Sequence, residues 1–277
     1  MPSATAIERR SGLALLPEPL DALRAVADRI DHQVGPHPLA GLRHWIDGEA
    51  VAGVDFPAAE LAAGERVEEL MTAAAALWGG SPHANAALAW KTYCYWTLAP
   101  AVLGYVAARR VPVMDAANTV FTVSYEAQPP GVPMFSVRQV RRKFLVLPHD
   151  PCAGHPDAEV CANEGDLLDR MRANVFEAHL GPVLDAFLAR VRVGRRTMMG
   201  SIASGLAYAV ASTAQVVPEP ADVIAKTLLD AFDVSHLVDI ATDEEGRLVY
   251  QRRTCCLALT IEGGRTCSTC CVRPEQH

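Results

Sequence analysis

Apolar positions follow helical spacing through most of the chain and switch to a strand-like pattern in two places. Leu20, Leu23, Val26 and Ile30 predict a helix over about 18–34, with Pro19 near its start. Residues 36–57 are interrupted by Pro36, Pro38, Gly48, Gly53 and Pro57 and read as loop with short turns. The alanine-rich stretch 58–78 is helical, and Ser81-Pro82 opens a further helix that runs to Arg110 with a kink at Pro100. The period then changes. Thr119–Tyr125 and Arg142–Leu147 are β-branched and aromatic runs, and Met134–Val140 is a third strand beyond a turn at Pro129-Pro130-Gly131. A loop over 148–162 leads to helices at about 164–179, 181–192, 195–214 and 220–232, separated by Gly181-Pro182, by Gly194 and by Pro218 with Pro220. Strands return at His236–Ile240 and Arg247–Arg252, which flank the hairpin turn Asp243-Glu-Glu-Gly246. Leu257–Ile261 is a last short strand, closed by Gly263-Gly264.

This pattern predicts an α+β protein, mainly helical, with a small antiparallel sheet and a C-terminal cysteine-rich hairpin. It divides into a helical region at 1–110, a mixed strand and helix region at 111–234, and a C-terminal lobe at 235–277.

Composition narrows the function. Half of the 277 residues are hydrophobic and 21% are charged, which excludes disordered and collagen-like classes. The net charge of −7 removes any bulk electrostatic grip on nucleic acid. After Arg9-Arg10 the only apolar piece is Leu13–Leu16, too short for a signal-peptide core. The uncharged stretch Thr92–Ala108 falls short of the roughly 20 residues of a spanning helix and contains several polar side chains, so it reads as a buried core helix. A cytoplasmic chain without an integral membrane span follows, in which thiols stay reduced and clustered cysteines point to metal.

Five of the eight cysteines fall in the last 23 residues. Cys255, Cys256, Cys267 and Cys270 follow the spacing Cys-Cys-x10-Cys-x2-Cys, and Cys271 adds a fifth thiol. Four thiolates within 16 residues can wrap a tetrahedral metal or a small cluster. A zinc knuckle pairs two Cys-x2-Cys units, because two intervening residues let both sulfurs face one ion. Adjacent side chains in an extended segment face opposite ways, so the Cys255-Cys256 pair suits a [2Fe–2S] rhomb better, after a local kink.

The arrangement resembles the FhuF-type ferric-siderophore reductases, in which this motif at the C-terminus holds a [2Fe–2S] cluster. The resemblance is specific over the last 25 or so residues. It implies Cys255, Cys256, Cys267 and Cys270 as ligands, the family spacing favouring Cys270 over Cys271. It also implies a cytoplasmic oxidoreductase that reduces the iron of imported, mainly hydroxamate, siderophores by one electron and so releases Fe(II). No Rossmann turn or P-loop is present. Gly194–Gly205 has glycines but no preceding strand, so electrons would come from a ferredoxin or a separate NAD(P)H-dependent reductase. Two alternatives are a zinc-stabilised binding module and a siderophore-biosynthesis-related protein; the second lacks any ATP-site signature.

Other features have plainer readings. His149, Cys152, His155 and Cys161 are ligand types in one loop, but their spacing matches no familiar knuckle. Cys94 reads as a packed core thiol. Trp90, Tyr93 and Trp96 form a helix stripe that packing explains, the alternative being a wall of a siderophore pocket. Arg138, Arg141, Arg142 and Lys143 are a basic run that reads as a solvated face, or else as a site for an anionic partner. Arg252, Arg253, Arg265 and Arg273 flank the cysteines and would form a basic collar, with strand alternation bringing only one of Arg252 and Arg253 near the cluster.

Overall fold

The computed structural model describes residues 17–34, 42–49, 51–124, 134–214, 217, 219–263, 266 and 269–272. The chain opens with α1 (Asp21–Val34), whose Leu23, Val26 and Ile30 are buried as the spacing predicts. The predicted loop that follows contains α2 (Leu42–Asp47) and β1 (Val54–Pro57). Both are too short to show a period among the glycines and prolines around them. The alanine-rich stretch is two helices, α3 (Ala58–Ala63) and α4 (Val67–Trp78). Gly64 separates them by taking a left-handed conformation at φ 81°, which a residue without a Cβ adopts freely.

Next comes α5 (Pro82–Ala108), capped by the Ser81 side chain, which accepts from Ala84 N–H. It continues through Pro100 as one 27-residue helix, although the proline has no N–H to donate to the Trp96 carbonyl. Nearly every residue from Ala84 to Val106 is buried, so α5 is the central rod of the molecule rather than a surface helix with one apolar stripe. Among the described residues no helix is long and apolar enough to cross a membrane.

The strands β2 (Val111–Pro112), β3 (Thr119–Val123), β4 (Phe135–Gln139), β5 (Phe144–Val146) and β6 (Ala158–Val160) make two small sheets. One has the order β1-β3-β4, antiparallel throughout, with Phe56 opposite Phe121 and Phe121 opposite Val137. The other has the order β2-β5-β6, and its β5–β6 pair is parallel. The predicted single antiparallel sheet is thus split, and β6 lies inside what reads from sequence as loop. The Pro129–Gly131 turn lies outside the described residues.

From Glu164 to Leu188 the backbone is helical without a break, through α6 (Glu164–Arg172), a π-helical segment at Ala173–Leu180, and α7 (Gly181–Leu188). Gly181-Pro182 was predicted to separate two helices. The wide π turn immediately before Pro182 admits its ring where an α turn would clash with the preceding carbonyl. The chain then forms α8 (Arg195–Thr213), α9 (Ala221–Ala231) and the antiparallel hairpin β7 (Val238–Thr242) and β8 (Leu248–Arg252). The Asp243 carboxylate accepts from the N–H groups of Glu245 and Arg247 and closes that turn. Packing of α8 against α5 forms the main helix pair, and β8 lies on α8. The small residues Ser201, Ala203, Ser204, Gly205 and Ala207 allow that approach.

The π segment carries a fully buried histidine. His179 Nδ1 faces the Met114 carbonyl, which only accepts, so Nδ1 holds the ring proton and Nε2 accepts from the Tyr93 hydroxyl. Burial pushes the ring down to about 4 from its ordinary 6.5, and the carbonyl bond offsets this only partly. The unfolded chain therefore takes up a proton between those pH values while the folded chain does not. Stability is complete above the unfolded value and falls as pH drops through the window, by roughly 3 kcal/mol at its acid end. Urea unfolding of the wild type and of His179→Asn at pH 7 and pH 4.5 measures this. The variant is expected to lose much less stability between the two, and equal losses would refute the assignment.

Candidate metal centre

The β7–β8 hairpin delivers the first cysteine pair and holds the second. Backbone N–H of Arg252 donates to Thr269 O at 3.0 Å, and Gln251 Nε2 donates to Cys270 O at 3.1 Å. These two bonds bring the segment carrying Cys270 and Cys271 alongside the end of β8. Just past β8, Arg253 N–H donates to Leu237 O, so the hairpin remains closed up to the cysteines.

The residues after Cys256 do not continue as a strand. Leu257 is left-handed at φ 62°, and Ala258–Thr260 form a 3-10 turn, in place of the strand predicted for Leu257–Ile261. The left-handed residue turns the chain just after the Cys255-Cys256 pair. It also directs the Leu257 N–H at Cys255 Sγ, 3.3 Å away. Two glycines seat the turn. A Cβ on Gly200 of α8 would stand 1.8 Å from Thr254 Oγ1, and one on Gly80 would stand 2.8 Å from Ile261 Cγ1.

The Cys271 thiol lies near Cys255 and Cys270; burial, then these two neighbours, raise its pKa. Cys256 and Cys270 are buried, while Cys255 and Cys271 are half-buried. Cys267 lies outside the described residues. Among the described residues no three histidine, cysteine, aspartate or glutamate side chains stand close enough to hold a metal ion. The donors that do converge are all sulfur, with a backbone N–H already aimed at one of them. That set suits a thiolate-held metal group and offers a hard cation no oxygen.

The flanking arginines divide as alternation predicts. Arg253 is exposed and paired with Asp239, which cancels its charge. Arg252 is turned inward, 2% exposed, with Nη2 donating to Ser201 Oγ at 3.3 Å and with no partner for Nε and Nη1 among the described residues. Arg265 and Arg273 lie outside the described residues. A cavity of about 340 Å³ opens between α5, α8 and β8. Lys91 and Tyr95 line it from α5, Tyr208 from α8, and Tyr250 and Arg252 from β8; Thr269, the residue before Cys270, completes the wall. Tyr95 stands edge-on to Tyr208, ring centroids 5.3 Å apart, and its buried hydroxyl has no partner among the described residues.

None of these lining residues except Arg252 stands out on a first reading of the sequence. The available signal was the polar stripe Ser201, Ser204, Gly205 and Tyr208 at helical spacing, facing Lys91 and Tyr95 one turn apart. The predicted aromatic stripe has a different job. Trp90 and Tyr93 are fully buried, and Trp90 Nε1 donates to Met198 O at 2.8 Å, so both belong to the core.

The remaining candidates are structural. Asp150, in a buried ion pair with Arg110 at 2.7 Å, also accepts from Cys152 N–H and so organises the 148–157 turn. The Cys152 thiol donates to Pro17 O, Cys161 Sγ accepts from Arg170, and His155 Nδ1 accepts from Asp157 N–H, each on its own partner. Cys94 is buried in the core. The basic run is largely engaged within the molecule: Arg138 pairs with Asp55, Lys143 with Glu159, and Arg142 donates to Trp45 O and lies over the Trp45 ring. Comparison with protein-family models and with curated proteins finds no match for this chain.

Proposed function

We propose that this protein is a cytoplasmic ferric-siderophore reductase that holds a [2Fe–2S] cluster on Cys255, Cys256, Cys267 and Cys270. The observation that carries this reading is the convergence of the two cysteine segments, which the bonds from Arg252 N–H to Thr269 O and from Gln251 Nε2 to Cys270 O bring together, beside a cavity whose wall includes the residue preceding Cys270. Bound, an all-thiolate cluster supplies a one-electron donor of low potential. That is what the substrate requires, because hard oxygen chelators hold Fe(III) far more tightly than Fe(II), and one electron lets the iron leave.

The chain's own groups set the conditions for that transfer. The Leu257 N–H stabilises negative charge on Cys255 sulfur. Arg252 places a buried positive charge three residues from the same cysteine, in the cavity wall. In the nucleotide-like glycine run, Gly200 and Gly205 serve close packing against Thr254 and Leu98. The reading therefore takes its electrons from a ferredoxin or a separate NAD(P)H-dependent reductase.

Purification without oxygen tests it. The protein is expected to be reddish-brown, with visible absorption that bleaches on reduction and returns in a single turnover with ferric siderophores. A colourless protein carrying zinc would point instead to a zinc-stabilised binding module.

A further inference from the structure

The cavity between α5, α8 and β8 contains a charge that nothing among the described residues balances. Arg252 is almost wholly buried, Ser201 occupies only its Nη2, and it makes no ion pair among the described residues. A buried guanidinium without a counter-charge is costly, and proteins keep one chiefly where an anion completes it. Lys91, also without an ion pair among the described residues, adds a second cation to the same wall, and the Tyr95 hydroxyl is buried without a partner. Tyr95, Tyr208 and Tyr250 supply apolar ring surface between these polar groups.

We propose that this cavity is a carboxylate-binding site that selects ferric chelators carrying a free carboxylate. A planar guanidinium matches a carboxylate's two oxygens, a neutral tyrosine hydroxyl can donate to one of them, and Lys91 adds long-range attraction. About 340 Å³ is at the lower end for small-molecule sites, so the cavity takes one arm of a chelator and leaves the chelated iron at its mouth. Thr269 directly precedes Cys270 and Arg252 lies three residues before Cys255, both in the wall, which places that iron near both cysteine segments. The ferric chelate as ligand rests on the reductase reading; the carboxylate site rests on the cavity itself.

The test uses the intact protein and two matched probes, the gallium(III) complexes of a trihydroxamate ending in a free carboxylate and of the same chelator with that carboxylate amidated. Gallium(III) is not reduced under these conditions, so titration calorimetry reads binding alone. The carboxylate form is expected to bind at least tenfold more tightly. Lys91→Met and Arg252→Gln should each remove most of that preference, and Lys91→Met should keep the visible spectrum of the wild type. Arg252→Gln alters a buried group, so if it fails to fold, Lys91→Met decides. Equal affinity for the two probes, no binding of either, or an unchanged preference in the variants would overturn the site. The ferric counterparts separate the two ideas. Carboxylate-dependent binding without oxidation of the reduced protein would sink the reductase reading and leave the site standing. Reduction indifferent to the carboxylate would do the opposite.

Discussion

Serine at Cys255, Cys256 or Cys267 is expected to remove most of the iron and most of the visible absorption of protein purified without oxygen. A hydroxyl stays protonated at neutral pH and is a hard, poor ligand for iron that thiolates hold well, so each loss should be severe. Serine at Cys94, Cys152 or Cys161 should leave iron content close to wild type. Cys94 is packed in the core on α5, while Cys152 donates to Pro17 O and Cys161 accepts from Arg170, both in other parts of the fold. The fourth position is the more discriminating measurement. The spacing that resembles the reductase family favours Cys270, so Cys270→Ser should be worse than Cys271→Ser. The opposite order would assign the role to Cys271, whose thiol lies near Cys255. Iron analysis and absorption spectra of the eight variants settle the order, and undiminished iron in Cys255→Ser would end the assignment.

Gly200→Ala should be nearly as damaging without touching a cysteine. The new methyl would stand 1.8 Å from Thr254 Oγ1 and 2.8 Å from Thr254 Cβ, and the nearer of these is not the end of a long side chain that can swing away. Thr254 must move, and Cys255 follows it directly in the chain. Overpacking of this kind costs about 1–3 kcal/mol. The larger effect is expected in the iron content, because β8 can no longer seat on α8 at the point where it delivers Cys255 and Cys256. Thr254→Gly in the same chain removes the clash and should restore much of the loss. If Gly200→Ala alone retains full iron and the wild-type unfolding midpoint, the close approach carries no functional weight.

Elements with a long or unambiguous period were legible in advance. The helices near 18–34, 195–214 and 220–232 agree with α1, α8 and α9 to within a few residues, and the Asp243–Gly246 turn marks the β7–β8 hairpin. What escaped prediction was short or depended on distant partners. β1 and β6 are strands only because β3 and β5 offer edges to pair with. The helix passes Gly181-Pro182 because a π turn precedes it, a tertiary accommodation that no local propensity announces. The cysteines were visible as a pattern. The cavity beside them was not, because its wall is drawn from α8, β8 and Thr269 together with α5, which lies more than a hundred residues earlier in the chain.

Leu257 sits in a conformation that disfavours it by roughly 1–2 kcal/mol, where glycine would sit without cost. Leucine's side chain packs against the main core, so the cysteine turn is held to the body by hydrophobic contact as well as by the two hydrogen bonds to Thr269 O and Cys270 O. Burial of that side chain offsets the backbone strain, whereas a glycine here would relieve the strain and lose the contact.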